Sequence, residues 1–311
     1  MKLVLHQQIS EGLDGAVHPG ILLDDSVIDF NEVVENLDHY SPQHLMNAII
    51  SNFEELRSDL ETLSQTATRI PLSDIRLTSP VPRPGKILCC IGNYWEHLQR
   101  DARPLNMFLK NPDAVTSPGG TVTLPKFTDP YVFHHEAELA IVIKGPSKEV
   151  SQLEYRKAIF GYTCLIDVSA RAEGRSTWRQ GSWMGKSFDT FAPIGPCIVT
   201  ADEVSDPNDL NVRFWNDDEL MHEYNTNDME HRVPELIEFA TTIMTLNSGD
   251  VIACGTNHEG LGPLQDNEVV EIEIQNIGRM SVKIADPLKR TWPRGIYMGP
   301  NSTAPAARSN Q

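Results

Sequence analysis

Two glutamates at i and i+2, Glu136 and Glu138, stand at the mouth of the apolar run Leu139 to Ile143. In a strand, such residues project to the same side, about 7 Å apart. Paired carboxylates on a strand about to be buried repel each other and lose hydration unless a cation compensates them. Oxygen-only ligation suits a hard ion such as Mg²⁺, Mn²⁺ or Ca²⁺. A third acid, Asp167, lies between Ile166 and Val168 at the end of the apolar stretch that begins at Gly161, where an acid is seldom left unpaired. At this level Asp167 could instead pair with Arg171, and His134 could share an ordinary polar strand face with the glutamates. Spacing alone does not discriminate. Glu271-Ile272-Glu273 repeats the pattern on a strand that reads as half exposed, where a solvated face explains it.

The elements that must position these acids read as mainly β with short helices (α+β). Ile21 to Leu23 and Val27 to Phe30, joined by Asp24-Asp25-Ser26, read as a hairpin. Ser41-Pro42 opens a helix, with Ser as N-cap and Pro at the first helical position, and Leu45, Ile49, Phe53, Leu56 and Leu60 line its apolar face. Pro71, Pro80, Pro82 and Pro84 make residues 69–85 extended and mark a boundary. The chain therefore divides into a small N-terminal α/β module (1–79), a larger unit (80–284) and a polar C-terminal tail (285–311). In the larger unit, Ile87 to Ile91, Tyr131 to Ile143, Val251 to Gly255 and Val269 to Ile274 read as strands. Ser151 to Glu154 reads as a capping box opening a short helix. Pro234 opens another helix that Asn247-Ser248-Gly249 stops.

The 311 residues carry 26 Lys plus Arg against 43 Asp plus Glu, a formal net charge of −17. Such a surface repels phosphate backbones and anionic lipid, so nucleic acid and membrane are poor partners. No apolar run approaches the ~18 residues of a membrane span, and the first 15 residues do not read as a signal peptide. The five cysteines are odd in number and lack zinc spacing; they read as buried thiols of a cytoplasmic protein. There is no GxSxG nucleophile motif and no glycine-rich phosphate loop.

Taken in order, the segments Lys86-Ile87-Leu88-Cys89-Cys90-Ile91-Gly92-Asn93-Tyr94 with His97, Phe108-Leu109-Lys110, Glu136 to Ile143, Gly161-Tyr162 with Asp167 to Arg171, Gly185 to Pro196, Thr245-Leu246 with Gly249 to Ile252, and Gly255-Thr256 resemble the fumarylacetoacetate hydrolase family over roughly residues 80–284. The resemblance implies a mixed β-sandwich roll, usually a homodimer. It implies a divalent metal, Mg²⁺ with Mn²⁺ or Ca²⁺ as alternatives, held by Glu136, Glu138 and Asp167. It further implies that Lys186 is catalytic, that Arg171, Thr256 and Tyr94 contact substrate, and that His97 is the base on a lid. Substrates of the family are 2-oxo or β-diketo acids, often acylpyruvates from aromatic catabolism.

Three carboxylates and one divalent ion carry a local charge of −1, so an anionic oxo acid needs the cations Lys186 and Arg171. Polarising its carbonyl stabilises an enolate. This leads first to hydrolytic C–C cleavage of an acylpyruvate-like β-diketo acid. Family hydrolases, however, commonly place Glu three residues after the lid His, where this chain has Arg100; Glu96 adjoins His97 but on a helix would point about 100° away. His258 stands where a Pro is usual and could line the site. The stretch from His97 to Phe108 is short, and Gly174 falls where a Gln is usual. These departures lend weight to decarboxylation, isomerisation, tautomerisation or dehydration on the same fold. A metal- and oxo-acid-binding protein without turnover is the third reading.

Overall fold

The computed structural model describes residues 1–12, 14–96, 100–126, 132–171 and 182–297. The molecule is mainly β. A twelve-stranded mixed sheet runs in the order Ile70–Pro71, Ser26–Asp29, His18–Leu22, Lys2–Gln8, Ala192–Thr200, Ile159–Ile166, Ala137–Ile143, Val251–Ala253, Ile87–Cys90 and Met107–Lys110, with Ile75–Thr78 and Val115–Thr116 pairing off this path. A five-stranded sheet (Glu219–Asn225, Asn211–Asn216, Val269–Ile274, Gly278–Ala285, Thr121–Thr123) packs against it. The strands at the centre of the large sheet read as continuous apolar runs because both faces are covered; Ile159–Ile166 and Ala137–Ile143 are buried at every position.

Residues 1–79 add their strands to the same large sheet, through antiparallel pairing of Lys2–Gln8 with Ala192–Thr200. The hairpin forms at His18–Leu22 and Ser26–Asp29. The helix Pro42–Thr66 starts as its sequence dictates, with the Ser41 side chain accepting from the His44 N–H. At 25 residues it is far from short; it lays Leu45, Met46, Ile49, Ile50, Phe53 and Leu60 into the core. Ser151 does not cap: Gln152–Ala158 is a 3-10 segment closed by backbone bonding, with no bond from the serine side chain. The helix Val233–Ile243 ends before Asn247-Ser248-Gly249, which forms the turn into Val251–Ala253 instead. All five cysteines are free and buried.

The expected single strand from Tyr131 to Ile143 is broken. Val132–His134 pairs with Ser169–Arg171 in a separate two-stranded ladder, while Ala137–Ile143 pairs with Ile159–Ile166 in the large sheet. His135-Glu136 and Asp167-Val168 are the paired breaks, held together by the Asp167 N–H to the Glu136 carbonyl at 2.8 Å. Two chains thus turn the same corner together, and the acids sit on it.

Candidate metal and oxo-acid site

The corner determines which acids meet. Glu136 lies in one break, Asp167 in the other, and Glu138 one residue inside Ala137–Ile143. All three are buried, and one carboxylate oxygen from each lies within 4.8 Å of the others; among the described residues no other His, Cys, Asp or Glu trio does so. Glu136 and Glu138 therefore converge across a strand end rather than along one continuous strand. The second E-x-E behaves otherwise: Glu271 and Glu273 are partly exposed and face Arg279.

Three cations surround the trio. Lys186, at the end of the helix Ser182–Lys186, donates from Nζ to Glu136 Oε2 (2.7 Å), Asp167 Oδ2 (2.8 Å) and Ser169 Oγ (2.5 Å). Lys110 closes the edge strand Met107–Lys110, is fully buried, and donates to Asp167 Oδ1 at 2.7 Å and to the Lys186 carbonyl. Arg171 donates to Glu136 Oε1 at 2.6 Å, with a side chain 32% exposed that reaches toward solvent. Thus both oxygens of Glu136 and of Asp167 have donors. Glu138 differs. Its Oε2 accepts from the Gly255 N–H at 2.7 Å, while its Oε1 is buried without a partner. A buried carboxylate oxygen costs free energy unless a donor or cation reaches it. An all-oxygen trio with one free carboxylate oxygen fits a hard divalent ion.

The electrostatics follow from this geometry. Burial disfavours ionisation of Glu136, but the charges of Lys186 and Arg171 prevail and hold its carboxyl well below the usual range. Burial and then the charges of Asp167 and Glu136 push Glu138 far above it. Burial opposes the Lys186 ammonium, yet Asp167 and Glu136 outweigh burial and raise its pKa. His134 is tied at both nitrogens, to the Tyr297 carbonyl and to Arg171; burial and Arg171 lower it to about 3, so it is a neutral strut.

Of the remaining sequence candidates, Thr256 is buried on the loop that begins with Gly255, next to Glu138. Tyr94 is fully buried, edge-on to Tyr224 at 5.0 Å, and is not among the side chains bonded to the trio. His97 lies outside the described residues. Arg100 is not an idle replacement for a carboxylate: with Arg103 it ion-pairs with Glu230, whose side chain is fully buried. Glu96 is in a turn at φ 56°, not a helix, and its carboxylate meets His258.

Sequence reasoning missed Lys110, Ser169 and Glu230 as site residues. Lys110 carried a readable signal: a lysine ending the apolar run Met107-Phe108-Leu109 needs a buried anion.

Comparison with known proteins agrees with the geometry. The family model for the fumarylacetoacetate (FAA) hydrolase C-terminal region matches residues 86–285. The chain is 33% identical over 285 residues to the maleylpyruvate hydrolase of Aquipseudomonas alcaligenes, covering 85% of this chain and 95% of that one. It is 31% identical over 271 residues to a mitochondrial oxaloacetate tautomerase of Bos taurus, covering 81% and 83%. The crystal structure of maleylpyruvate hydrolase from Sphingobium sp. SYK-6, in complex with manganese(II) and pyruvate, superposes with a TM-score of 0.80 at 34% identity, covering 92% of this chain and 99% of that one.

Proposed function

Because the chain belongs to the fumarylacetoacetate hydrolase family, we propose that it is a divalent-metal-dependent hydrolase that cleaves a C–C bond in an acylpyruvate-like β-diketo acid. The observation that carries this reading is the buried carboxylate trio with its one unpartnered oxygen on Glu138. Manganese(II) and pyruvate bound to a relative of similar fold and length support it. Glu136, Glu138 and Asp167 would hold the ion. When bound, it supplies Lewis-acid polarisation of the substrate's oxo and enol oxygens.

The chain's own residues do the rest. Lys186 and Lys110 offset two of the trio's three charges, so that with a divalent ion bound the site would not repel an anionic oxo acid. Arg171, anchored on Glu136 with its guanidinium partly in solvent, is placed to take the substrate carboxylate. Thr256 and Tyr94 belong to the same proposal as substrate contacts. His97 takes a proton from water, which attacks the distal carbonyl. The homodimer is also part of the proposal.

A second reading, tautomerisation, is favoured by one observation. Three residues after His97 stands an arginine committed to Glu230 rather than a carboxylate free to orient an imidazole. Reactions that only move a proton need no activated water. The test is turnover of a panel of acylpyruvates and of oxaloacetate with and without EDTA. Chelator-sensitive release of pyruvate from a diketo acid supports hydrolysis. Turnover of oxaloacetate alone supports tautomerisation. Metal binding with neither sinks both.

A further inference from the structure

His258 stands on the loop that leaves the trio. Gly255 gives its N–H to Glu138, and His258 is three residues on, at most about 10 Å along the chain. Its charge reaches Glu136 and the neighbouring His134 and His222. Its Nδ1 bonds to the Glu96 carboxylate, which also accepts the His258 backbone N–H at 3.2 Å. Glu96 is itself fixed, since its N–H donates to Asp228 Oδ2 at 3.2 Å and the Asn257 side chain donates to the same oxygen at 3.1 Å. The imidazole is thus oriented from one side. Its Nε2 has no hydrogen-bond partner among the described residues, and the side chain is 28% exposed.

The other described histidines near the trio do not share this arrangement. His134 uses both nitrogens. His135 and His222 bond each other in the core, stacked on or edge-on to Phe214. His231 bonds Glu235 with one nitrogen and the Arg103 carbonyl with the other.

We propose that His258, held by Glu96, is the acid–base group that carries the proton to and from C3 of the oxo acid. During cleavage, the electron pair of the C3–C4 bond stays on C3 as the enolate. The imidazolium Nε2–H gives its proton to C3, forming the new C–H bond and leaving neutral imidazole. The hydroxide of the attacking water remains on C4 as the carboxylic acid, and the proton it left on His97 returns through solvent to His258. In tautomerisation the same Nε2 moves a proton between C3 and solvent, and no water is consumed.

The charged and titratable groups around the pair are Arg100 and Arg103 from the segment after Ile87–Cys90, Asp228 from Thr226–Asp228, Glu136 and His134 at the strand corner, and His222 from Glu219–Asn225. Burial alone would raise the Glu96 carboxyl; the hydrogen bonds and charge of His258 outweigh it and hold Glu96 below the usual range, so it stays anionic.

The inference rests on the proposed function only in needing an enolisable oxo acid. The experiment is deuterium uptake into the pyruvate methyl group in D₂O, followed by ¹H NMR with the Mn²⁺- or Mg²⁺-loaded protein, beside cleavage of an acylpyruvate. The wild type exchanges. His258→Gln loses exchange by about 100-fold or more and Glu96→Gln by about 10-fold, with Glu96→Asp recovering most of that loss. Pyruvate affinity and melting temperature stay within error of wild type. Exchange by His258→Gln at the wild-type rate overturns the proposal, as does loss of exchange that merely follows loss of pyruvate binding. If His258→Gln does not fold, wild-type exchange in Glu96→Gln overturns it equally. A wild type that cleaves diketo acids but never exchanges pyruvate also overturns it. A wild type that exchanges but cleaves nothing leaves it standing and removes the hydrolase reading.

Discussion

Glu138 concentrates the site's chemistry in one side chain. Its Oε1 is a buried oxygen with no donor, while Glu136 and Asp167 are each held by two cationic groups, and Glu136 by the Ser169 hydroxyl as well. Glu138→Gln should therefore leave the metal-free protein folded, with a melting temperature equal to or above wild type, because an amide carries no charge to bury. It should also abolish the metal-induced stabilisation, which for a ligand at 100 times its Kd amounts to about 2.7 kcal/mol and raises the melting temperature. Calorimetry with and without Mn²⁺ checks both; a full metal response in the variant would remove Glu138 from the ligand set. Glu271→Ala should be silent within about 0.5 kcal/mol, since its partner Arg279 is an exposed surface pair. The sequence made the trio visible through acids embedded in apolar runs. It did not reveal that Lys110 completes the charge balance, because which cation meets Asp167 depends on a contact 57 positions away in the chain.

The element that makes the site is the shared corner at 135–136 and 167–168, and periodicity cannot see it. Alternation predicts which side a residue faces, and a strand that changes sheets keeps its alternation while changing direction. The carboxylate spacing was thus legible and the break was not. Similarly, Arg100 could be seen to replace a carboxylate, but its partner Glu230 lies 130 residues further on. That partner makes a prediction. Arg100→Glu would place a like charge against a fully buried carboxylate, so it should destabilise the fold by several kcal/mol and not supply a hydrolase's histidine partner; urea unfolding and acylpyruvate turnover check the two halves. Gly255 is the other sensitive point, at φ 87° with a hypothetical Cβ 3.1 Å from that of Asn93. Gly255→Ala should cost about 1 kcal/mol or more of stability and weaken metal binding by moving the N–H that positions Glu138. Unchanged Mn²⁺ affinity would show that this hydrogen bond does not position the ligand.

Across the whole molecule, the hairpin, the capped helix and the central strands were readable because each is a local pattern. The joining of Lys2–Gln8 to Ala192–Thr200 was not, since it pairs segments nearly two hundred residues apart. The fold also buries His134, His135 and His222 completely, and each of these rings contributes a pH dependence of definite sign. Burial lowers His134 and His222 to about 3, with Arg171 and His258 respectively adding to the effect, and burial also lowers His135. Below about pH 6.5, the unfolded chain binds protons on these rings that the folded protein refuses, so stability is lost as pH falls from 6.5 toward 3. His134 and His222 each cost about 2 kcal/mol between pH 7 and pH 5 by that relation. Glu230 acts in a different window. Burial alone would raise its carboxyl, but Arg100 and Arg103 hold it at about 2, so its contribution persists above the ordinary carboxylate range and is lost only as pH falls through about 4 to 2. Between pH 7 and 5 other groups titrate too, among them Glu138 with the opposite sign, so the His222 contribution is read by urea unfolding as the difference between wild type and a His222 variant. His222→Leu, which keeps an apolar side chain against Phe214, should flatten the wild-type slope over that range by about 1 kcal/mol per pH unit. A variant slope equal to that of wild type would mean that His222 already accepts a proton in the folded core.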